Sequence, residues 1–143
     1  MIFSNVIVAF DGSELSKKAL LYALHIVRSN PTGSLHVIHV YPFPSVVMGE
    51  ALIPSPVGID SAYTEEAEAI LNEAKSLTDP QQFVTFVLRQ GQPAKDIIAY
   101  ADEQQSDLIV MGSRGLGSFQ ELVLGSISHE IVQQSKIPVL VIK

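Results

Sequence analysis

The sequence predicts an α/β fold in which one doubly wound parallel sheet of five strands lies between two layers of helices. Apolar runs of strand length alternate with amphipathic helical segments, and the chain closes on a last strand. The runs are apolar almost throughout, which is typical of strands buried on both faces. With right-handed crossovers, this alternation predicts the strand order 3-2-1-4-5 within a single domain spanning residues 1–143.

The first strand and the first helix have the clearest boundaries. The run NVIVAF over 5–10 ends at Asp11-Gly12, a dipeptide typical of turns. Ser13 is well placed to cap a helix, and apolar residues recur at helical spacing from Leu15 to about residue 29. These residues form the first strand-helix unit of the predicted sheet.

The segment that follows the second strand, over 34–41, is less regular. Residues 42–60 contain four prolines and no clear period, so they predict a long loop that serves either as a lid or as extra dimer surface. Ser61 is the predicted cap of the second helix. The remaining predicted elements are strands over 82–89, 107–112 and 137–143 and helices within 91–105 and over about 125–136.

The composition argues against several classes of protein. The chain has no cysteine, which excludes disulfides, thiolate metal sites and a cysteine nucleophile. Its formal net charge of −6 argues against non-specific binding of nucleic acid. No apolar run approaches the roughly 20 residues of a membrane span, and the first residues lack the basic region of a signal peptide. We therefore expect a cytoplasmic protein that does not insert into membranes.

The predicted strand order places a ligand site between the first and fourth strands. Ligands of such sheets bind outside the carboxyl ends of the strands, at the point where the strand order reverses. The first strand ends at Asp11-Gly12 and the fourth at Gly112-Ser113. We therefore expect these two loops, which are distant in sequence, to meet.

The second of these loops is rich in glycine, in the stretch IVMGSRGLGSFQELVLGSISHEIV over 109–132. Converging backbone N–H groups and the start of a helix both attract anions, and Arg114 could bind a phosphate through two hydrogen bonds. These features predict a phosphate-binding loop, although the glycines could also form only a tight turn and a helix cap. The loop contains neither the Walker A pattern nor the dinucleotide-binding glycine pattern.

Three segments together resemble the universal stress protein family over essentially the whole chain. They are VIVAFDGSELSKKAL, GQPAKDIIAYADEQQSDLIVMGSRGLGSF and GSISHEIVQQSKIPVLVIK. Gly112, Gly115, Gly125 and Ser126 also satisfy the spacing G-x2-G-x9-G-[ST] of the family's ATP-binding branch. The resemblance implies a Rossmann-like fold, similar to the adenine nucleotide alpha hydrolases, and a homodimeric stress-response or regulatory module that binds ATP with Mg²⁺.

The resemblance also implies which residues surround the nucleotide. The nucleoside would be bordered by Ala9, Phe10, Asp11 and Val40. The ribose and phosphates would lie over Met111, Gly112, Arg114 and Gly115. The phosphate tail would be held by Gly125, Ser126 and Ile127. Phe10 departs from the smaller or β-branched residues common before the Asp-Gly-Ser turn, and Arg114 occupies a position that varies in the family. Ser126 could instead cap the last helix.

The role of Asp11 stays open at this stage. Its carboxylate would repel a triphosphate unless it accepted hydrogen bonds from ribose hydroxyls or reached a Mg²⁺ that bridges the phosphates. It could equally bond the N–H groups of its own turn. The metal ligands are therefore unknown, and no residue is predicted to be catalytic.

Two alternative functions also stay open. One is a slow ATPase or phosphotransferase that uses the same pocket, which we rank second because the sequence shows no obvious catalytic base. The other is a structural dimer that binds no ligand.

His36 and His39 resemble a metal-binding pair, but their odd spacing in a strand sends them to opposite faces.

The last strand is predicted to lie at an edge of the sheet. An apolar edge favours aggregation unless it is covered, and a two-fold partner could cover it with the same strand. We therefore expect a homodimer formed through residues 138–142. The alternative is an edge shielded by Lys143 and a nearby loop.

Overall fold

The structure is a computed structural model that describes residues 3–43, 45–48, 51–54, 57–79, 83–116 and 123–143. Its strands and helices alternate as the sequence predicts, apart from an additional hairpin. The elements are β1 (Asn5–Ala9), α1 (Glu14–Arg28), β2 (Ser34–Tyr41), β3 (Ser45–Met48), β4 (Ala51–Pro54), α2 (Val57–Ser76), β5 (Val84–Gln90), α3 (Pro93–Glu103), β6 (Leu108–Gly112), α4 (Ser126–Gln134) and β7 (Val139–Ile142).

The main sheet has five strands in the order β5-β2-β1-β6-β7, and every neighbouring pair is parallel. This is the predicted order 3-2-1-4-5, so the predicted fold is confirmed. β1 is the central strand, and its Val8 pairs with Val37 of β2 on one side and Val110 of β6 on the other. The carboxyl ends of β1 and β6 therefore lie side by side.

Helices cover the sheet on both faces. Val6 and Val8 belong to one buried cluster that includes residues of α1 and α2, while Ile7 belongs to a second cluster with residues of α3 and α4. All three side chains are fully buried. Consecutive residues of β1 thus face two different cores, which explains why the strand is apolar throughout.

The predicted loop over 42–60 is wrong for much of its length. β3 and β4 pair antiparallel as a hairpin, with Val46 opposite Ile53. Strands this short carry too few residues to show a period in the sequence. α2 begins at Val57, so Ser61 lies inside the helix and does not cap it. Gly58 is a poor helix former, which concealed this earlier start.

The cap predicted for the first helix is confirmed. Ser13 is the N-cap of α1, and its hydroxyl oxygen accepts a hydrogen bond from the Ser16 N–H at 3.2 Å. Across the residues that the structure describes, no helix is long and apolar enough to cross a membrane.

Candidate functional site

A cleft of about 150 Å³ opens at the carboxyl ends of β1, β2 and β6, where the strand order reverses. Every residue that the sequence analysis assigned to the site lines this cleft, including Asp11, Gly115 and Ser126. Other lining residues were not predicted: Ser13, Ser16, Ile38, His39, Pro93, Ile97, Leu116 and Ser128. The alternation along the second strand could have identified Ile38, because it shares a face with Val40.

The two loops that end β1 and β6 meet through the carboxylate of Asp11. Its Oδ1 accepts a hydrogen bond from the Ser13 N–H at 2.9 Å, within the turn that follows β1. Its Oδ2 accepts one from the Leu116 N–H at 3.2 Å, in the glycine-rich loop. Gly12 has a φ of +84°, a conformation that favours glycine, and so lets the chain turn here. Asp11 therefore stabilises its own turn and also joins the two loops.

The glycines of the second loop serve different purposes. A Cβ at Gly112 would lie 2.7 Å from the Leu15 Cβ and 3.1 Å from the Leu15 carbonyl carbon, so Gly112 allows α1 to pack against β6. A Cβ at Gly115 would overlap Oδ2 of Asp11. Gly112 thus makes room for α1, whereas Gly115 makes room for the Asp11 carboxylate, which lines the cleft. The neighbouring Gly117 lies outside the described residues.

The start of α4 forms another part of the cleft wall. Gly125 is the N-cap residue, so Ser126 is the first helical residue and not the cap. A glycine has no side chain with which to bond the N–H groups of the first turn, and those groups have no partner within a helix. The Gly125 N–H donates to the Ser113 carbonyl at 2.7 Å, which holds the helix start beside the glycine-rich loop. This arrangement suits a bound anion.

One part of the cleft, which we call the apolar floor, consists of buried apolar side chains. It is lined by Ile38 and Val40 from β2, Ile97 from α3 and Met111 from β6. Phe10 lies at the same end of the sheet, but it is only 2% exposed and belongs to the buried cluster on the α1 and α2 side. An apolar floor beside polar backbone groups is the combination expected for a base-and-phosphate ligand.

His39 holds the end of β1. Its Nδ1 lies 2.8 Å from the Phe10 carbonyl oxygen, and because a carbonyl only accepts, the ring donates from Nδ1. Burial lowers the pKa of His39, and the hydrogen bond to the Phe10 carbonyl, together with the nearby charges of Asp11 and Glu66, partly opposes this shift. His39 with its proton on Nδ1 therefore fixes Phe10, the residue that precedes Asp11.

The two histidines of β2 lie on opposite faces of the sheet, as predicted. His36 contacts Tyr100 of α3, with its Nδ1 2.7 Å from the tyrosine hydroxyl, and burial lowers the pKa of His36. His39 lies on the other face. Among the side chains that the structure describes, no group of three or more His, Cys, Asp or Glu could hold a metal ion.

Comparison with known proteins places the chain among stress proteins. The model of the universal stress protein family matches residues 3–143. The universal stress protein YxiE of Bacillus subtilis is 33% identical over 150 residues, covering 99% of this chain and all of that protein. A universal stress protein of Thermus aquaticus is 34% identical over 143 residues, with 99% and 100% coverage.

Solved structures show the same fold. Universal stress protein UspA from Lactobacillus plantarum superposes with a TM-score of 0.77 at 22% identity, covering 100% of this chain and 99% of that one. A universal stress protein in complex with cAMP gives 0.67 at 23% identity, with 99% and 98% coverage. The Archaeoglobus fulgidus protein in complex with dAMP gives 0.61 at 22% identity and full coverage of both chains. With the family model matching nearly its whole length, the chain belongs to the universal stress protein family.

Proposed function

We propose that this protein binds ATP in the cleft and acts as a nucleotide-dependent regulatory module in the stress response. The observation that carries the proposal is the meeting of a glycine-rich loop and a helix N-terminus beside an apolar floor. The glycine-rich loop from Gly112 to Leu116 and the start of α4 line the same cleft as Ile97 and Met111. Two universal stress proteins of the same fold, solved in complex with cAMP and with dAMP, support an adenine nucleotide as the ligand class.

The shape of the cleft suggests an orientation for the nucleotide. The base would lie against the apolar floor, where no charged group has to lose its hydration. The phosphates would extend towards the N–H groups of Gly115, Ser126 and Ile127, and towards the Arg114 side chain. The ribose would lie between them, close to Asp11. The cleft, at about 150 Å³, is smaller than a typical ligand pocket of roughly 300–1,000 Å³, so the phosphate tail would extend out of it towards solvent.

A Mg²⁺ ion would be held mainly by the nucleotide itself. Mg²⁺ commonly binds through one or two carboxylates together with phosphate oxygens and water. Among the residues that the structure describes, Asp11 is the carboxylate that lines the cleft, and its two oxygens already accept hydrogen bonds from the Ser13 and Leu116 N–H groups. These residues fit a site with one protein ligand, so Mg²⁺ would mostly neutralise the phosphates.

This cleft fits a binding role better than it fits rapid catalysis. A hydrolase needs a base or a positioning group for the attacking water. Asp11 is engaged by two backbone N–H groups, and the Nδ1 of His39 is engaged by the Phe10 carbonyl. We therefore keep a slow ATPase or phosphotransferase as the second candidate.

Two measurements test the proposal. Mass spectrometry of small molecules released by denaturing the purified protein should detect an adenine nucleotide. Calorimetric titration of the stripped protein should give tighter binding for ATP than for adenosine. A protein that binds neither compound would contradict the proposal and favour the structural dimer. ADP release faster than about 1 s⁻¹, low for an enzyme, would favour the catalytic alternative.

We also propose that the protein forms a homodimer through residues 138–142. β7 is an edge strand of the sheet that the structure describes, and its Val139, Leu140 and Val141 are only half-buried. The Pro138 carbonyl accepts a hydrogen bond from Ile109 of β6, and the Ile142 carbonyl accepts one from Ser113, the residue after β6. Because bonding direction alternates along a strand, Val139 and Val141 direct their backbone groups outward, where a second copy could pair with them.

A pair of proline substitutions tests this dimer. Val141→Pro removes an outward N–H group, so it should yield a folded monomer in light-scattering measurements. Leu140→Pro removes a group directed at β6, so it should lower the free energy of unfolding instead. A Val141→Pro variant that stays dimeric would show that the partner, if any, binds elsewhere.

A further inference from the structure

Ser128, on the first turn of α4, makes contacts that the glycine pattern does not account for. It is only 2% exposed. Its hydroxyl donates to the Ser113 carbonyl oxygen at 2.7 Å and lies 3.1 Å from the Gly125 carbonyl oxygen. The stronger of these contacts leaves the helix and reaches the loop that follows β6.

The peptide groups of Ser113 connect three segments of the site. The Ser113 N–H donates to the Ile142 carbonyl at 2.8 Å, which fixes it to the end of β7. Its carbonyl accepts both the Ser128 hydroxyl and the Gly125 N–H, each at 2.7 Å. Ser113 is itself 2% exposed, so water does not compete for these bonds. The start of α4 is therefore held against the beginning of the glycine-rich loop at one buried carbonyl.

We propose that Ser128 is a positioning residue that sets the distance between the two phosphate-binding segments. The ligand in this inference rests on the proposed function, because the phosphates of ATP would need N–H groups from both segments at once. Loss of the Ser128 hydroxyl leaves the Ser113 carbonyl held to α4 by the Gly125 N–H alone. The start of α4 then shifts relative to Gly115. The apolar floor comes from other elements and keeps its geometry.

This role makes a selective prediction for the variant Ser128→Ala. Its affinity for ATP should fall about tenfold, the scale of one buried hydrogen bond. Its affinity for adenosine, which lacks phosphates, should stay within about twofold of the unchanged protein, because the loss is confined to the phosphate segments. Ser128→Thr keeps the hydroxyl and should restore most of the affinity for ATP.

The matched control is Ser135→Ala, at the other end of α4. The Ser135 hydroxyl donates to the Ile137 carbonyl at 2.8 Å, so its loss also removes a bond from a serine to the backbone, but away from the cleft. Its binding of ATP and adenosine should be unchanged. Equal losses of ATP and adenosine affinity in Ser128→Ala, or no loss of either, would overturn the positioning role.

Amide hydrogen exchange separates this inference from the proposed function. Without any ligand, the Gly125 N–H should exchange about tenfold faster in Ser128→Ala than in the unchanged protein, because its acceptor is less firmly held. Should the unchanged protein bind no nucleotide, the proposed function fails, and this exchange rate alone tests whether Ser128 holds the two segments together. An unchanged Gly125 exchange rate would then refute the positioning role.

Discussion

Replacement of Gly115 by alanine is the sharpest test of the cleft. The new methyl group would overlap Oδ2 of Asp11, and the Asp11 Cγ lies 3.5 Å from the same position. This overlap forces the carboxylate to move. The side chain is short and its other oxygen is held by the Ser13 N–H at 2.9 Å, so it has little freedom to do so. The movement breaks the 3.2 Å bond to the Leu116 N–H and places a methyl group in the cleft.

The expected cost differs between folding and binding. The lost bond is long and lies near the surface, so the free energy of unfolding should fall by only about 1 kcal/mol. For a chain of this size, that corresponds to roughly 3–5 °C in the melting temperature. The free energy of binding should fall by more. A clash of the nucleotide with the new methyl group costs about 1–3 kcal/mol, and the displacement of Asp11 costs about 1 kcal/mol more. A total near 3 kcal/mol weakens ATP affinity about a hundredfold.

Gly91→Ala provides a control for this substitution. A Cβ at Gly91 would overlap Oδ2 of Asp96, which accepts the Gln92 N–H at 2.6 Å, so the local clash is of the same kind. Gly91 does not line the cleft. Calorimetric titration and thermal unfolding should give both variants similar melting temperatures, with ATP affinity reduced only in Gly115→Ala. Binding by Gly115→Ala within about threefold of the unchanged protein would refute the reasoning.

The remaining predictions concern packing, charge and pH. Gly112→Ala should lower the free energy of unfolding by about 1–3 kcal/mol in urea titrations, because its methyl group would press on Leu15 of α1. Asp11→Asn keeps acceptor capacity for a ribose but loses the charge, so an ATP affinity that no longer depends on Mg²⁺ would indicate metal contact, and an unchanged dependence would argue against it. Because burial lowers the pKa of His39, the unfolded chain binds a proton on this residue at a higher pH than the folded protein does. The stabilisation is present above the unfolded pKa of about 6.5 and is lost as the pH falls through the lower folded value, so urea titrations should give a smaller unfolding free energy at low pH. His39→Gln should flatten that dependence.

The sequence by itself determined the order of the sheet and the place of the cleft. Strands that are apolar on both faces, joined by helices through right-handed crossovers, leave few arrangements, and the breaks at Asp11 and Gly112 mark two strand ends that must meet. Burial and turn chemistry are local properties of the chain, so they can be predicted from the residues alone. The short hairpin of β3 and β4 was missed because four-residue strands carry too little of that pattern.

Contacts between distant segments were decided only by the tertiary structure. The Asp11 bond to Leu116, the approach of Gly112 to Leu15 and the convergence on the Ser113 carbonyl each join residues that no local pattern relates. The register and packing of the strands and helices bring these atoms within contact distance. The glycine spacing therefore indicated a site, whereas only the assembled fold showed that Gly112 makes room for α1 and Gly115 for the Asp11 carboxylate.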